Sequence, residues 1–180
     1  MRIFKNETSA VIIDVQEKLF PHIHEHDLLL RKLNTLIKGL SLLKVQVLAT
    51  EQYPEGLGAT IKEVKDALQG VEITSKRVFS CHDSMPFKKQ LHFTGSKYVI
   101  LAGIEAHVCV LQTAVDLKAA GYEPVVIADA VASRSPYDKE IAMNRFTQED
   151  IKISTVESIL LELCRTSSNE MFRDISKLVK

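Results

Sequence analysis

Short apolar runs alternate with amphipathic stretches along this chain. The first run, SAVIIDV, is rich in β-branched residues and apolar at nearly every position, which is typical of a strand buried on both faces. The stretch after it repeats leucine and isoleucine at helical spacing, and it predicts a helix that Asp27 caps at its N-terminus. Further strands are predicted in KVQVLAT, VEITSKRVFS, KYVILA, EPVVIADA and IKISTV.

This alternation predicts the α/β fold class, as a three-layer α/β/α sandwich around a central, mainly parallel sheet of about six strands. The reason is that a strand, a helix and a parallel strand join by right-handed crossovers, which place helices on both faces of the sheet. A chain of 180 residues suits one hydrophobic core, and no linker or low-complexity tract divides it. Residues 1–180 are therefore expected to form a single domain.

Composition narrows the class of protein. Apolar residues make up 46% of the chain and 23 Lys and Arg balance 23 Asp and Glu, which is typical of soluble globular proteins. The zero net charge and the lack of a basic run argue against a nucleic-acid partner. No apolar stretch is long enough to cross a membrane and no cleavage-site pattern follows the N-terminus, so no membrane partner is expected. Three widely spaced cysteines indicate free thiols in the cytoplasm.

Candidate chemistry lies where the predicted strands end. In open parallel sheets the functional site lies beyond the carboxyl ends of the strands. Four places meet that condition: Asp14, the pair Thr50–Glu51, Lys76, and the turn from Gly103 to Cys109.

Residue types at these strand ends fit a nucleophilic site. A carboxylate at the end of a buried strand needs a compensating charge, and Lys76 is a candidate partner for Asp14. A cysteine at a helix start beside such a pair is expected to be a stabilised thiolate, hence a nucleophile, with Asp14 as general base and then general acid. Considered one at a time, Cys109 is more typical of a core residue, Asp14 of a turn cap and Lys76 of a solvated surface charge. Their joint placement favours the functional interpretation.

Three segments together carry a family resemblance: VIIDVQEKLF, TSKRVFS and GIEAHVCVLQTAVDLKAAGY. The chain resembles the isochorismatase-like superfamily of cysteine hydrolases, in its short isochorismatase-domain branch, from about residue 9 to 163. The resemblance implies a catalytic triad of Asp14, Lys76 and Cys109. It further implies an oxyanion hole formed by the Glu105 and Cys109 amides, with a cis peptide between Ile104 and Glu105.

The same resemblance implies an activity. It points to a hydrolase that cleaves a small amide or related acyl C–N bond of a small-molecule substrate through a Cys109 thioester, without a cofactor, in a homo-oligomer. Nicotinamidases of the superfamily carry a histidine-containing metal motif after the second strand, whereas this chain reads ATEQYPEGLG there, so no metal is expected. Two alternatives stay open: a catalytically weak binding or scaffold protein, and a nuclease-like activity, since some of the branch carry a ribonuclease label.

Several polar residues leave their roles open. Gln16, Phe20 and Glu51 are candidate substrate contacts, although Gln16 and Glu51 equally suit solvated loops. The segment 133–135, Ser-Arg-Ser, either binds an anion or caps the next helix. His107 is two positions from Cys109 and is not expected to form a dyad with it, because residues two apart on a helix point in different directions. The three histidines of PHIHEH are expected to lie in a polar loop and not at a metal.

Overall fold

The computed structural model describes residues 2–180, and its centre is a six-stranded sheet in the order β3-β2-β1-β4-β5-β6. Every neighbouring pair of strands in this sheet is parallel. Helices cover both faces, so the predicted three-layer α/β/α fold is confirmed. The strands are β1 Thr8–Ile13, β2 Gln46–Gln52, β3 Ile73–Lys76, β4 Tyr98–Ile104, β5 Glu123–Ala132 and β6 Lys152–Ser154.

The helices follow the strands in the alternation that the sequence predicts. They are α1 His26–Leu42, α2 Pro54–Leu57, α3 Lys62–Leu68, α4 Met85–Thr94, α5 Leu111–Ala119, α6 Pro136–Gln148, α7 Val156–Cys164 and α8 Phe172–Val179. The predicted cap of α1 is wrong by two residues. The chain enters this helix through Glu25 in a left-handed conformation, so Asp27 lies within the first turn, where its charge still suits the helix dipole.

The core has two halves, one on each face of the sheet. Ala10 and Ile12 of β1 pack in the half formed with α1, α3, α7 and α8. Val11 and Ile13 pack in the half formed with α4, α5 and α6. Because successive strand side chains point to opposite faces and both faces are covered, β1 is buried at every position, and its residues 10–13 are all apolar. Each buried valine or isoleucine among them contributes about 1.5–3 kcal/mol of transfer free energy.

Strand register brings the predicted functional residues to one edge. Ile13 pairs with Thr50 of β2 and with Gly103 of β4, and Gln52 pairs with Lys76 of β3. Gly103 has φ of 136°, and a Cβ on it would lie 2.2 Å from the backbone oxygen of Ile13. Only glycine therefore lets β4 approach β1 this closely at the point where the site forms.

Candidate active site

Lys76 is the last residue of β3, and its ammonium is enclosed by acceptors. Its Nζ donates to Asp14 Oδ2 at 2.6 Å and to Gln52 Oε1 at 2.9 Å. It also donates to the carbonyl oxygens of Val78 and Phe79 at 3.3 and 3.1 Å. Burial lowers the pKa of Lys76, but the charges of Asp14 and the nearby cysteines raise it, and the net direction is upward. Lys76 is consequently a protonated, buried cation at neutral pH.

Asp14 follows β1 directly and is held on both sides. Its side chain is 2% exposed, and while Oδ2 accepts from Lys76, Oδ1 accepts from Thr50 Oγ1 at 2.8 Å. Its backbone adopts φ of 55°, and its N–H donates to the Thr50 carbonyl oxygen at 3.1 Å. These contacts fix the orientation of the carboxylate. The sequence predicts Thr50 at this edge but indicates no role for its hydroxyl, which only the strand register brings to Asp14.

Cys109 lies on a single π-helical turn, Ala106–Val110, which joins β4 to α5. The chain enters this turn through Glu105, whose φ is 55°, and every peptide bond in residues 2–180 is trans. The cis bond predicted between Ile104 and Glu105 is therefore wrong, because the left-handed Glu105 makes the change of direction instead. Single π turns are frequent at functional sites.

Cys109 opens onto a cavity of about 290 Å³. We call this space the Cys109 cavity. Its walls are mainly apolar, and its volume lies at the small end of the range for ligand sites. The lining residues are Asp14, Leu19, Gln52, Leu57, Phe79, Ile104, Glu105, Val108, Cys109 and Arg134.

Electrostatics of the thiol differ from the sequence expectation. Burial raises the pKa of Cys109, the charge of Asp14 raises it further, and the opposing effect of Lys76 is smaller. This direction favours a neutral thiol at rest over the thiolate that the sequence predicts. The reason is that Lys76 is already paired with Asp14, whose negative charge also faces the sulfur.

Cys81 shares these charged neighbours. Cys81 is fully buried, and its Sγ lies 3.6 Å from Thr50 Oγ1. Burial and the charge of Asp14 raise the pKa of Cys81 to about 11. The side chain therefore stays a neutral thiol behind the site.

The three predicted substrate contacts lie outside the cavity wall. Gln16 Nε2 donates to the carbonyl oxygens of Gln52 and Gly58 at 3.0 and 2.7 Å, so Gln16 joins backbone segments. Glu51 accepts from the N–H and hydroxyl of Thr60 at 2.6 and 2.8 Å. Phe20 packs against the core, with its ring centre 5.2 Å from that of His26.

Neighbours in sequence take these positions instead. Leu19 and Gln52 line the cavity, each one residue away from a predicted contact. Adjacent residues of a strand point to opposite faces, so Gln52 faces Lys76 while Glu51 faces Thr60. Following the alternation of side-chain directions to the end of β2 would have identified Gln52 as the residue that faces the site.

A second charged pair completes the cavity wall. Glu105 Oε1 accepts from Arg134 Nε at 2.6 Å, and the Glu105 side chain is 9% exposed. Its other oxygen, Oε2, is buried without a hydrogen-bond partner within residues 2–180. His107 Nδ1 lies 3.3 Å from this oxygen and 3.0 Å from Ser133 Oγ. His107 is thus engaged with this cluster.

In the Ser-Arg-Ser segment 133–135, one residue caps the next helix and another lines the cavity. Ser135 caps α6, since its hydroxyl accepts from the N–H of Asp138 at 3.2 Å. Arg134 lines the Cys109 cavity and is paired with Glu105.

Across residues 2–180, no group of three or more His, Cys, Asp or Glu side chains is placed to hold a metal ion. In the same span, no helix combines the length and apolar character that crossing a bilayer requires.

Fold and site together define an α/β/α sandwich protein in which a cysteine faces a buried aspartate–lysine pair at the carboxyl edge of a parallel sheet. The Isochorismatase domain model matches residues 8–158, and the chain belongs to this family. The predicted resemblance is confirmed.

Relatives cover nearly the whole chain. Isochorismatase domain-containing protein 2A of Mus musculus is 36% identical over 180 residues, which are 99% of this chain and 85% of the mouse protein. The secreted isochorismatase effector Isc1 of Phytophthora sojae is 34% identical over 186 residues, with 99% and 87% of the two chains covered. These names support family membership.

Solved structures share the fold. A structure described as MAR1 ribonuclease from Caenorhabditis elegans has a TM-score of 0.93 at 34% identity, covering 99% of this chain and 92% of the other. YcaC from Pseudomonas aeruginosa, described with hexane-2,5-diol and covalent acrylamide, has a TM-score of 0.92 at 22% identity, with 98% and 91% covered. YcaC of Escherichia coli, described as an octameric hydrolase of unknown specificity, has a TM-score of 0.90 at 21% identity, with 99% and 95% covered.

Proposed function

We propose that this protein is a cysteine-dependent hydrolase that cleaves a small amide or related acyl C–N bond through a Cys109 thioester. Family membership supports the hydrolase class. One observation carries the finer assignment: Cys109 and an oriented, buried Asp14 carboxylate line the same small cavity. A neutral thiol needs a base at the moment of attack, and Asp14 is the base in reach.

Acylation begins when Cys109 Sγ attacks the substrate carbonyl carbon and Asp14 takes the thiol proton. Asp14 then returns this proton to the substrate nitrogen, the C–N bond breaks, and ammonia or an amine leaves. Deacylation reverses the roles: water gives a proton to Asp14, its oxygen attacks the thioester, and the C–S bond breaks with return of the proton to sulfur. Lys76 and Thr50 hold the carboxylate throughout.

Developing negative charge on the carbonyl oxygen needs donors. The backbone N–H groups of Glu105 and Cys109 lie in the turn that borders the cavity, and we assign them as the oxyanion hole. Donors of this kind each accelerate acyl transfer by about 10²–10³-fold. The left-handed conformation of Glu105 sets the direction in which the backbone enters this turn.

The test is ammonia release from a panel of small primary amides, with acyl-enzyme trapping by peptide mass spectrometry. We expect the acyl mass on the Cys109 peptide and no turnover in Cys109→Ala or Asp14→Asn. Cys164→Ala is the matched control, because Cys164 is buried in α7, away from the cavity, and its loss should leave turnover unchanged. Turnover that survives Cys109→Ala contradicts the thioester route. A folded protein that binds amides without turnover supports the binding-protein alternative.

A second candidate function has one observation in its favour: the C. elegans structure is described as a ribonuclease at 34% identity. The balanced charge of this chain opposes it, because nucleic-acid binding draws its affinity from basic groups. Salt-dependent cleavage of a labelled RNA that is lost in Asp14→Asn would support the nuclease. Absence of cleavage beside active amide hydrolysis would exclude it.

Assembly and location are further parts of the proposal. A homo-oligomer is proposed in line with the octamer described for the E. coli protein, and light scattering of the purified chain tests it. A cytoplasmic location stays a prediction, since the P. sojae relative is named as secreted.

A further inference from the structure

The Cys109 cavity contains charged side chains, but each one is already matched. Asp14 is paired with Lys76 behind the wall, and Glu105 is paired with Arg134 at the wall. The other lining residues are uncharged. The lining therefore presents no uncompensated charge among these groups.

Glu105 reaches Arg134 because of the sheet register. Ile104 pairs with Ala132, so the residues that follow β4 and β5 leave the sheet side by side. Arg134 is 61% exposed along its side chain and binds Glu105 through Nε. Without Glu105, the guanidinium would be an unpaired cation at a small apolar cavity, a setting that attracts a carboxylate.

We propose that Glu105 is a specificity-determining residue that neutralises Arg134, so that the Cys109 cavity selects uncharged acyl compounds over those carrying a carboxylate. A carboxylate entering this cavity would lose its hydration and find no free cation, and burying an unpaired charge is costly. A neutral amide loses less on entry and can still accept from the remaining Arg134 N–H groups. The inference rests on the proposed function only in taking this cavity as the substrate site.

His107 lies beside Glu105, and Asp138 lies beside His107. His107 Nδ1 lies 3.3 Å from Glu105 Oε2, and His107 Nε2 lies 4.0 Å from Asp138 Oδ2. Protonation of His107 would add a positive charge that Asp138 opposes. Comparisons between variants at one pH keep this contribution constant.

Two alkylating reagents of nearly equal size test the proposal without knowledge of the substrate. Iodoacetamide and iodoacetate both react with the Cys109 thiolate, which forms a C–S bond while the C–I bond breaks and iodide leaves. Iodoacetamide carries a neutral amide where iodoacetate carries a carboxylate. The ratio of their rates at Cys109, read by peptide mass spectrometry at pH 9, does not depend on the thiolate fraction, because both reagents need the same thiolate. Division by the corresponding ratio for β-mercaptoethanol removes the intrinsic difference in reactivity between the two reagents.

In the wild type we expect this normalised ratio to favour iodoacetamide by about tenfold or more, the size of one unpaired charge interaction near a protein surface. Glu105→Gln keeps the side-chain shape and frees Arg134, so the ratio should fall by about tenfold. Arg134→Met leaves Glu105 unpaired and should raise the ratio. Glu149→Gln is the matched control, because it removes the same charge from the ion pair between Glu149 and Arg145. Neither residue lines the cavity, so the normalised ratio should not change.

Outcomes separate this inference from the proposed function. A wild-type ratio equal to that of β-mercaptoethanol, or an unchanged ratio in folded Glu105→Gln, overturns charge selection. The same proteins are then assayed for ammonia release from succinamide and from succinamate, its carboxylate analogue. Amide turnover together with a reagent ratio that Glu105→Gln does not change would contradict only the charge selection. The expected reagent ratios without turnover of any amide would contradict only the proposed hydrolase activity.

Discussion

Two oppositely charged pairs border the Cys109 cavity, and they differ in how completely the protein surrounds them. Both side chains of Asp14–Lys76 are buried, and the pair is linked to Thr50 and Gln52. In Glu105–Arg134 the cation is mostly exposed, and one carboxylate oxygen lacks a partner in the described chain. The first pair is built to hold one geometry, as a catalytic base requires. The second sets the charge that a substrate meets.

Lys76→Met gives the largest expected effect, because it leaves the Asp14 charge buried without compensation. We expect a loss of about 3–5 kcal/mol in the free energy of unfolding, measured by urea denaturation, and loss of turnover. Lys62→Met is the control: Lys62 forms an exposed ion pair with Asp66 on α3, and its replacement should change stability little. A Lys76→Met protein as stable as the control would show that the buried pair contributes nothing.

Asp14→Asn separates base from electrostatic effects within the first pair. The carboxylate raises the pKa of Cys109, so its removal should lower that pKa and enlarge the thiolate fraction at pH 7–8. Alkylation of Cys109 by iodoacetamide should then be about tenfold faster or more, although amide turnover is lost. In the wild type, alkylation should rise with pH well beyond the range of an ordinary thiol. Slower labelling in Asp14→Asn would show that the carboxylate promotes the resting thiolate.

Thr50→Val probes the positioning of the base. The hydroxyl donates to Asp14 Oδ1, and its loss leaves one carboxylate oxygen unsatisfied at a cost of about 1–3 kcal/mol. We expect kcat to fall while KM changes little, because Thr50 does not line the Cys109 cavity. Thr74→Val is the control. It removes a comparable hydrogen bond between Thr74 and Gln90, neither of which lines the cavity, and should leave kcat unchanged. Equal kcat in both variants would remove the positioning role.

Arg134→Met should have the smallest effect on stability. Its side chain is 61% exposed, so solvent already screens this pair and water can replace the guanidinium at Glu105; we therefore expect a smaller loss in the free energy of unfolding than for Lys76→Met. Urea denaturation beside Lys76→Met measures the contrast directly. A loss as large as that of Lys76→Met would mean that the second pair is structural and would erase the distinction drawn between the two.

The pattern of residues along the chain was enough to predict the fold. The apolar run in β1, the alternation with helices and the rule of strand ends predict a parallel sheet with Asp14, Lys76 and Cys109 at one edge. These signals are local, because periodicity and β-branched runs depend on near neighbours in sequence. The bounds of elements were less predictable: α1 begins one residue before Asp27, since Glu25 adopts a left-handed conformation.

Only the tertiary structure decided what those residues do to one another. It placed Leu19 and Gln52 in the cavity in place of Phe20 and Glu51, and it joined Glu105 to Arg134 across two strand ends. It also buried the Cys109 thiol beside the Asp14 charge, and both raise the pKa of this thiol, against the expectation of a resting thiolate. Side-chain direction at a strand end and the balance between burial and charge both depend on groups far apart in sequence, so no local pattern records them.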